Sequence, residues 1–122
     1  MPEAADPQFA GRVRASFARQ PMMQTIGATL ETLAPGRADI SLPFRPDLTQ
    51  QHGYLHAGVV ATIADSACGY AAYTLMPAGA SVLTVEYKIN LLSPAAGERF
   101  VARAGVIRPG RTLTIVQADV FA

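Results

Sequence analysis

One carboxylate lies inside an otherwise apolar stretch of this 122-residue chain. Asp65 interrupts residues 56–76 (HAGVVATIADSACGYAAYTLM), which are built largely from small apolar residues. A carboxylate is costly to bury among such residues unless it is paired, protonated or facing a cleft. Asp65 is therefore either a structural hydrogen-bonding group or a general base at a cleft, and residue type alone does not separate these interpretations.

Polar groups lie at the start of the same stretch. Gln50 precedes it, His56 is its first residue, and Gly58 permits close backbone approach at its first turn. If the stretch is a helix, the free N–H groups of Ala57 and Gly58 at its start form a receptor for an oxyanion. Asp65 then lies about 12 Å further along, because each helical residue adds about 1.5 Å. One chain cannot easily bring both groups to one atom, but two antiparallel helices in a two-fold dimer can.

Cys68 and His52 are weaker candidates for chemistry. Cys68 lies three residues after Asp65 on nearly the same helix face, but no His is near it in sequence and small buried cysteines are common. His52 lies in the polar stretch 45–55, where we expect it to hydrogen-bond within a loop.

Two helices follow from the hydrophobic spacing. Residues 8–19 carry apolar residues at helical spacing, and Pro21 ends this short amphipathic helix. Residues 56–76 are apolar on nearly all sides, which predicts a buried helix that closes at Pro77. Residues 1–7 are small, acidic and proline-bearing, and we expect them to be frayed.

Alternation of apolar and polar residues predicts the strands. The predicted strands are residues 24–34, 37–44, 81–93, 98–107 and 111–121. The first two flank the turn dipeptide Pro35-Gly36 and form a hairpin. Because no parallel βαβ period and no internal repeat is present, residues 1–122 are expected to form a single α+β domain, an antiparallel sheet wrapped around the central helix.

The composition excludes several classes of protein. The 10 Lys plus Arg residues nearly balance the 9 Asp plus Glu residues, so a net charge of +1 gives no electrostatic reason to bind nucleic acid or an anionic membrane. A single cysteine forms no internal disulfide, and no Cys/His cluster offers a metal site. The first residues, MPEAADPQF, contain no apolar h-region, so we expect a cytoplasmic protein without a secretory signal.

Three segments resemble a known family. Residues 50–73 (QQHGYLHAGVVATIADSACGYAAY), 84–98 (TVEYKINLLSPAAGE) and 106–122 (VIRPGRTLTIVQADVFA) are similar to the hotdog-fold acyl-CoA thioesterases of the phenylacetate-pathway (PaaI-like) type. The resemblance covers about residues 20–122. It implies the hotdog fold, in which an antiparallel β-sheet wraps around a long central helix.

The resemblance implies a catalytic role for five positions. Asp65 matches the general base or nucleophile that acts on the thioester carbonyl, and the backbone N–H at Ala57 matches the group that polarises the thioester oxygen. Gln50 matches an amide that positions water or substrate, His56 a residue that orients the loop, and Thr84 a hydroxyl near the acid. In the family the helix start and the acid come from different protomers.

The resemblance also points to residues that contact the substrate. Arg108 and Arg111, which flank the Pro109-Gly110 turn, are expected to contact the phosphates of coenzyme A. Lys88 is a similar candidate, although a structural role competes with this one. Gly58 allows the substrate to approach the backbone of the helix start.

Two features depart from the family pattern. Ala57 replaces the commoner glycine, so the N–H is retained but a methyl group faces the acyl site. The family usually continues past the equivalent of Phe121 into another strand, so we expect an exposed sheet edge, an edge covered by a partner, or a truncated chain.

The expected function is hydrolysis of an acyl-CoA thioester to free acid and coenzyme A, with no metal or cofactor beyond the coenzyme A of the substrate. One alternative is a non-catalytic acyl-CoA-binding hotdog module; a hotdog hydratase or dehydratase ranks lower, because those enzymes pair an acid with a catalytic His in other motifs. The expected partners are a small-molecule acyl-CoA and a second copy of the chain, as a homodimer or a dimer of dimers. An aryl or aliphatic acyl group, base or nucleophilic catalysis and either tetramer arrangement are all compatible with the sequence.

Overall fold

A four-stranded antiparallel sheet packs against one long helix in the computed structural model, which describes residues 2–122. The strands lie in the order β1-β2-β3-β4, and every neighbouring pair is antiparallel, which confirms the predicted α+β class. In chain order the elements are α1 (Phe9–Ala18), α2 (Pro21–Ile26), β1 (Thr29–Ala34), β2 (Arg37–Pro43), α3 (Ala57–Tyr73), β3 (Arg99–Arg108) and β4 (Ile115–Phe121). A short 3₁₀ turn, Pro46–Leu48, connects β2 to the loop before α3.

The core lies between the inner face of the sheet and α3. Alternate residues of β2 and β3, such as Ile40 and Phe100, are almost fully buried, and α3 meets them with Ile63, Ala67 and Ala71. Each large apolar side chain that is buried in this way contributes about 1.5–3 kcal/mol to folding. Because the side chains of α3 that meet the sheet are mostly small, the helix lies close to the sheet. The opposite face of α3 points away from the sheet.

The C-terminus of α3 differs from the prediction. The helix ends at Tyr73 rather than at residue 76. The buried Thr74 hydroxyl donates to the Ala71 carbonyl at 2.6 Å and accepts the Gly36 N–H at 2.7 Å. This contact ties the helix end to the β1–β2 turn, where Gly36 has a φ of 78° that favours glycine. A tertiary contact, and not Pro77 alone, therefore sets where the helix stops.

The segment between α1 and β1 also differs from the prediction. Alternation predicts one strand over residues 24–34, but residues up to Ile26 belong to α2 and β1 begins only at Thr29. Pro21 ends α1 and also starts α2, because proline is well tolerated in the first turn of a helix. Gly27, with a φ of 77°, caps α2 in the left-handed conformation.

Asp6 lies in the segment 1–7 that is expected to be frayed and makes specific contacts in the structure, while Met1 lies outside the described residues. Asp6 accepts the Gln8 N–H at 2.9 Å and pairs with Arg12 at 3.0 Å. The Arg12 guanidinium also donates to the Met76 carbonyl and lies 4.4 Å from the centre of the Tyr73 ring. The segment before α1 is therefore attached to the end of α3. Both contacts hold the pKa of Asp6 below its usual value, the Gln8 N–H first and Arg12 second.

Residues 81–93, which alternation predicts to be a strand, form no strand in the structure. The segment is extended but pairs with no neighbour, and its apolar residues are exposed: Leu83, Val85, Tyr87, Ile89, Leu91 and Leu92. Alternation shows that a segment has one apolar face, but a strand also needs a hydrogen-bonding neighbour. Within residues 2–122, β4 therefore lies at the edge of the sheet. An exposed sheet edge is one of the three outcomes expected from the departure from the family pattern after Phe121.

Candidate functional site

An open cavity of about 2030 Å³ is lined by residues of α3, of the extended segment 81–93 and of β4. It exceeds the roughly 300–1,000 Å³ that is usual for small-ligand sites, and the apolar residues of the extended segment are exposed. The α3 wall of the cavity is formed mainly by small residues: Ala57, Ala61, Ala64, Asp65, Cys68 and Gly69. A long, mostly apolar ligand with one reactive group can lie along such a wall.

Asp65 and Thr84 meet in this cavity, as the resemblance implied. The Thr84 hydroxyl donates to Asp65 Oδ1 at 2.7 Å. Asp65 is half-buried on α3, whereas Thr84 is exposed on the extended segment. Asp65 Oδ2 has no hydrogen-bond or ion-pair partner among residues 2–122. One carboxylate oxygen is thus held in place, while the other has no partner in the described part of the chain and is available to water or a substrate.

The start of α3 offers one free backbone donor rather than two. His56 is the N-cap, and its Nδ1 accepts the Gly58 N–H at 2.7 Å. The expectation that Gly58 supplies a free N–H is therefore wrong, because the histidine side chain folds back onto it. A Cβ at position 58 would lie 2.9 Å from His56 Nδ1, so the glycine makes room for the cap. The Ala57 N–H has no acceptor among residues 2–122 and lines the cavity.

Gln50 organises the loop that precedes α3. The side-chain Oε1 accepts the backbone N–H groups of His52 at 2.6 Å and Tyr54 at 3.2 Å. The backbone N–H of Gln50 donates to the Tyr54 carbonyl. These bonds close a tight turn and orient the amide, whose Nε2 makes no hydrogen bond within residues 2–122. Gln50 lines the cavity, where this NH₂ group can donate to a ligand. The His52 backbone takes part in the same turn, in line with the expected loop role.

The three basic residues that were expected to contact coenzyme A lie on exposed segments. Lys88 and Arg111 line the cavity, but Arg108, at the end of β3 opposite Ile115, does not. None of the three forms a salt bridge within residues 2–122. The structure therefore brings two of the three basic side chains to the cavity that holds Asp65.

Cys68 lies on the cavity wall one turn after Asp65, but its chemistry argues against a nucleophile. Burial, and in second place the Asp65 charge, raise the pKa of the thiol from 9.0 to about 11. A nucleophilic cysteine needs the thiolate form at working pH, which this environment disfavours.

A polar cluster that was not predicted from the sequence lies on the side of α3 that faces α1. Gln20 Nε2 donates to the Tyr70 hydroxyl at 3.1 Å, and Ser66 Oγ donates to Gln20 Oε1 at 3.2 Å. The Tyr70 hydroxyl also lies 3.1 Å from Ser16 Oγ. These contacts join residues 46 to 54 positions apart, so no local pattern reveals them.

Among residues 2–122 no group of three His, Cys, Asp or Glu side chains is placed to hold a metal ion. Over the same residues, no helix combines the length and the hydropathy that crossing a bilayer requires.

Comparison with known proteins shows the family. Residues 52–122 match the model of the thioesterase superfamily, so the chain belongs to that superfamily, and its fold is the hotdog fold. A thioesterase family protein from Silicibacter pomeroyi is 59% identical and superposes with a TM-score of 0.92, over 93% of this chain and 84% of that one. A mutant of the phenylacetic acid degradation protein PaaI from Thermus thermophilus is 28% identical with a TM-score of 0.75, over 84% and 86% of the two chains.

A curated relative is similar over a shorter span. Acyl-coenzyme A thioesterase 13 of Homo sapiens is 33% identical over 92 residues, which cover 75% of this chain and 65% of the human protein. The matched stretches of this chain span about two thirds of the length of the curated relatives.

Proposed function

We propose that this protein hydrolyses an acyl-CoA thioester to the free acid and coenzyme A. The observation that carries the proposal is Asp65, a carboxylate on a cavity wall with Oδ1 held by Thr84 and Oδ2 open to the cavity, in a chain of the thioesterase superfamily. The acyl-CoA part rests on the name of the human relative and on the basic residues Lys88 and Arg111 at the cavity. Together with Arg108 at the end of β3, these can contact coenzyme A phosphates.

Asp65 can act in either of two ways. As a general base it takes a proton from water, and the resulting hydroxide adds to the thioester carbonyl carbon. As a nucleophile it adds to that carbon itself and forms a mixed anhydride, which water then hydrolyses. In both routes the C–S bond breaks, and coenzyme A leaves as a thiolate that takes up a proton. In both routes Thr84 orients the carboxylate, and we assign to the Gln50 NH₂ group the role of holding the water or the substrate.

The oxyanion of the tetrahedral intermediate needs a donor, and the Ala57 N–H is the one open backbone donor at the start of α3. One such donor contributes about 2.7–4 kcal/mol to transition-state stabilisation in comparable sites. Ala57 and Asp65 are eight residues apart on one straight helix, which is about 12 Å. We therefore assign the two groups of each site to different chains of a homodimer.

The surface of the chain supports a second copy as the partner. The extended segment 81–93 presents its apolar residues to solvent, and the outer edge of β4 has no neighbouring strand within residues 2–122. Both features are unfavourable in an isolated chain, because exposed apolar area and open strand edges promote association. In the proposed homodimer two copies pair through this segment, with Thr84 and Asp65 of one chain near the helix start of the other.

The experiment measures thiol release from a panel of acyl-CoA substrates with aromatic, short and long aliphatic acyl groups. Asp65→Asn is expected to lower kcat about a hundredfold or more, which is usual for loss of a catalytic group. Glu98→Gln, an exposed acid outside the cavity, is the matched control and should leave kcat unchanged. Binding of these thioesters by the wild type without thiol release above background would contradict hydrolysis and favour the binding-module alternative.

A further inference from the structure

We infer that Gln20 is a positioning residue for Asp65: it clamps one turn of α3 from the side opposite the cavity and so sets the rotation of the helix that carries the carboxylate. The inference rests on the proposed function for its effect on activity, but the clamp itself is a structural feature. Gln20 lies in the corner between α1 and α2, as the N-cap residue of α2.

Both ends of the Gln20 amide are used. Its Oε1 accepts the Ser66 hydroxyl at 3.2 Å, and its Nε2 donates to the Tyr70 hydroxyl at 3.1 Å. Ser66 and Tyr70 are four residues apart, so they lie on the same face of α3, one turn from each other. Ser16 of α1 extends the chain of hydrogen bonds to the other side of the Tyr70 hydroxyl. Tyr70 is 6% exposed, whereas Gln20, Ser16 and Ser66 are half-buried, so the network is partly shielded from competing water.

Several contacts restrain α3. On the sheet side Ile63, Ala67 and Ala71 pack into the core, and the end of the helix is tied to Gly36 through Thr74. The turn that carries Asp65 has directional bonds on two sides: Thr84 bonds the carboxylate from the cavity side, and the Gln20 amide bonds Ser66 and Tyr70 from the other side. Because hydrogen bonds are directional, the Gln20 amide limits rotation of this turn in a way that the apolar contacts do not.

A small rotation matters because Asp65 is the residue directly before Ser66. A side chain at a radius of about 5–6 Å moves by about 1 Å when the helix turns by about 10°. A displacement of about 1 Å can reduce an enzymatic rate as much as a hundredfold when it moves the reacting group. Loss of the clamp therefore lowers kcat, while the apolar cavity that binds the substrate is kept.

The test compares Gln20→Met, Ser66→Ala and the double variant by steady-state kinetics. Gln20→Met is expected to lower kcat about tenfold with KM changed by less than about twofold, and Ser66→Ala to lower kcat by a smaller factor. Because Ser66 acts through Gln20, the double variant should be no slower than Gln20→Met alone. Gln24→Met is the matched control: it removes an exposed bond from Gln24 Nε2 to the Ala18 carbonyl and should leave kcat unchanged.

Two kinetic results would overturn the inference when Gln20→Met folds. The first is a folded Gln20→Met with wild-type kcat, and the second is losses in the single variants that multiply in the double. If Gln20→Met does not fold, a wild-type kcat in Ser66→Ala serves instead. If the wild type releases no thiol, the proposed function fails, but hydrogen exchange still tests whether Gln20 clamps α3. The backbone amides of residues 61–70 should exchange faster in Gln20→Met than in Gln24→Met. Equal exchange rates in the two variants would overturn the inference.

Discussion

Thr84 and Asp65 are 19 residues apart in sequence, yet the hydroxyl of one donates to a carboxylate oxygen of the other at 2.7 Å. The bond crosses from the extended segment to the middle of α3, over the open cavity. Thr84 is exposed and belongs to a segment that pairs with no strand among residues 2–122. The bond links this segment to the Asp65 carboxylate. It also decides which of the two carboxylate oxygens is left for chemistry.

Replacing Thr84 should weaken catalysis without unfolding the protein. Thr84→Val keeps the shape but removes the donor, so the carboxylate is no longer oriented and kcat should fall about tenfold. Thr84→Ser keeps the hydroxyl and should retain most of the activity. Thr32→Val, an exposed position on β1, is the control. Full activity in Thr84→Val, measured as thiol release, would show that the bond has no catalytic role.

Two inactive variants should restore each other if the site is shared between chains. Ala57→Pro removes the candidate oxyanion donor at the first helical position, where proline is tolerated, and Asp65→Asn removes the acid. A random mixture of the two, prepared by co-expression, should recover about a quarter of wild-type activity, because about half of the dimers are mixed and each of those has one complete site.

The control for this mixture pairs Asp65→Asn with the Ala57→Pro/Asp65→Asn double variant, which contains no intact acid. That pair should stay inactive. If the mixture of single variants is also inactive while purification through a different affinity tag on each variant shows that mixed dimers form, both groups of a site belong to one chain, and the dimer proposal is wrong.

The Cys68 thiol should titrate late and respond to Asp65. Its pKa of about 11 predicts slow alkylation at neutral pH, and Asp65→Asn should lower that pKa only in part, because burial is the larger cause. The folded pKa is raised above 9.0, so the contribution of this group to stability is fully present below pH 9.0 and is lost as the pH rises towards 11. Thiolate absorbance against pH checks both statements; a thiol that ionises like an exposed cysteine would contradict them.

Thr74 should contribute to stability through the β1–β2 turn. Thr74→Val fills the same buried space but leaves the Gly36 N–H without its acceptor, which should cost about 1–3 kcal/mol of unfolding free energy. Denaturant unfolding gives the value, with Thr32→Val as the control. An unchanged transition midpoint would mean that water or another acceptor replaces the hydroxyl.

Local pattern was sufficient for much of the fold and part of the site. The periodicity of residues 8–19 and the apolar run around Asp65 predicted α1 and α3, because a helix that buries a face shows it in sequence. The types of Asp65, Thr84 and Gln50 indicated thioester chemistry only through their resemblance to a family. Residues 81–93 show where local pattern is insufficient. Their alternation indicates that the segment has one apolar face, but it does not identify the element that covers this face.

The sequence by itself determined the α+β class, the two main helices, the hairpin at Pro35-Gly36 and the position of the one carboxylate inside the apolar run. The tertiary structure alone decided that α3 ends at the Thr74–Gly36 contact and that Gln20 reaches Ser66 and Tyr70. The reason is physical: a hydrogen bond depends on distances of about 3 Å between atoms, and folding brings together residues whose separation along the chain carries no signal of that contact.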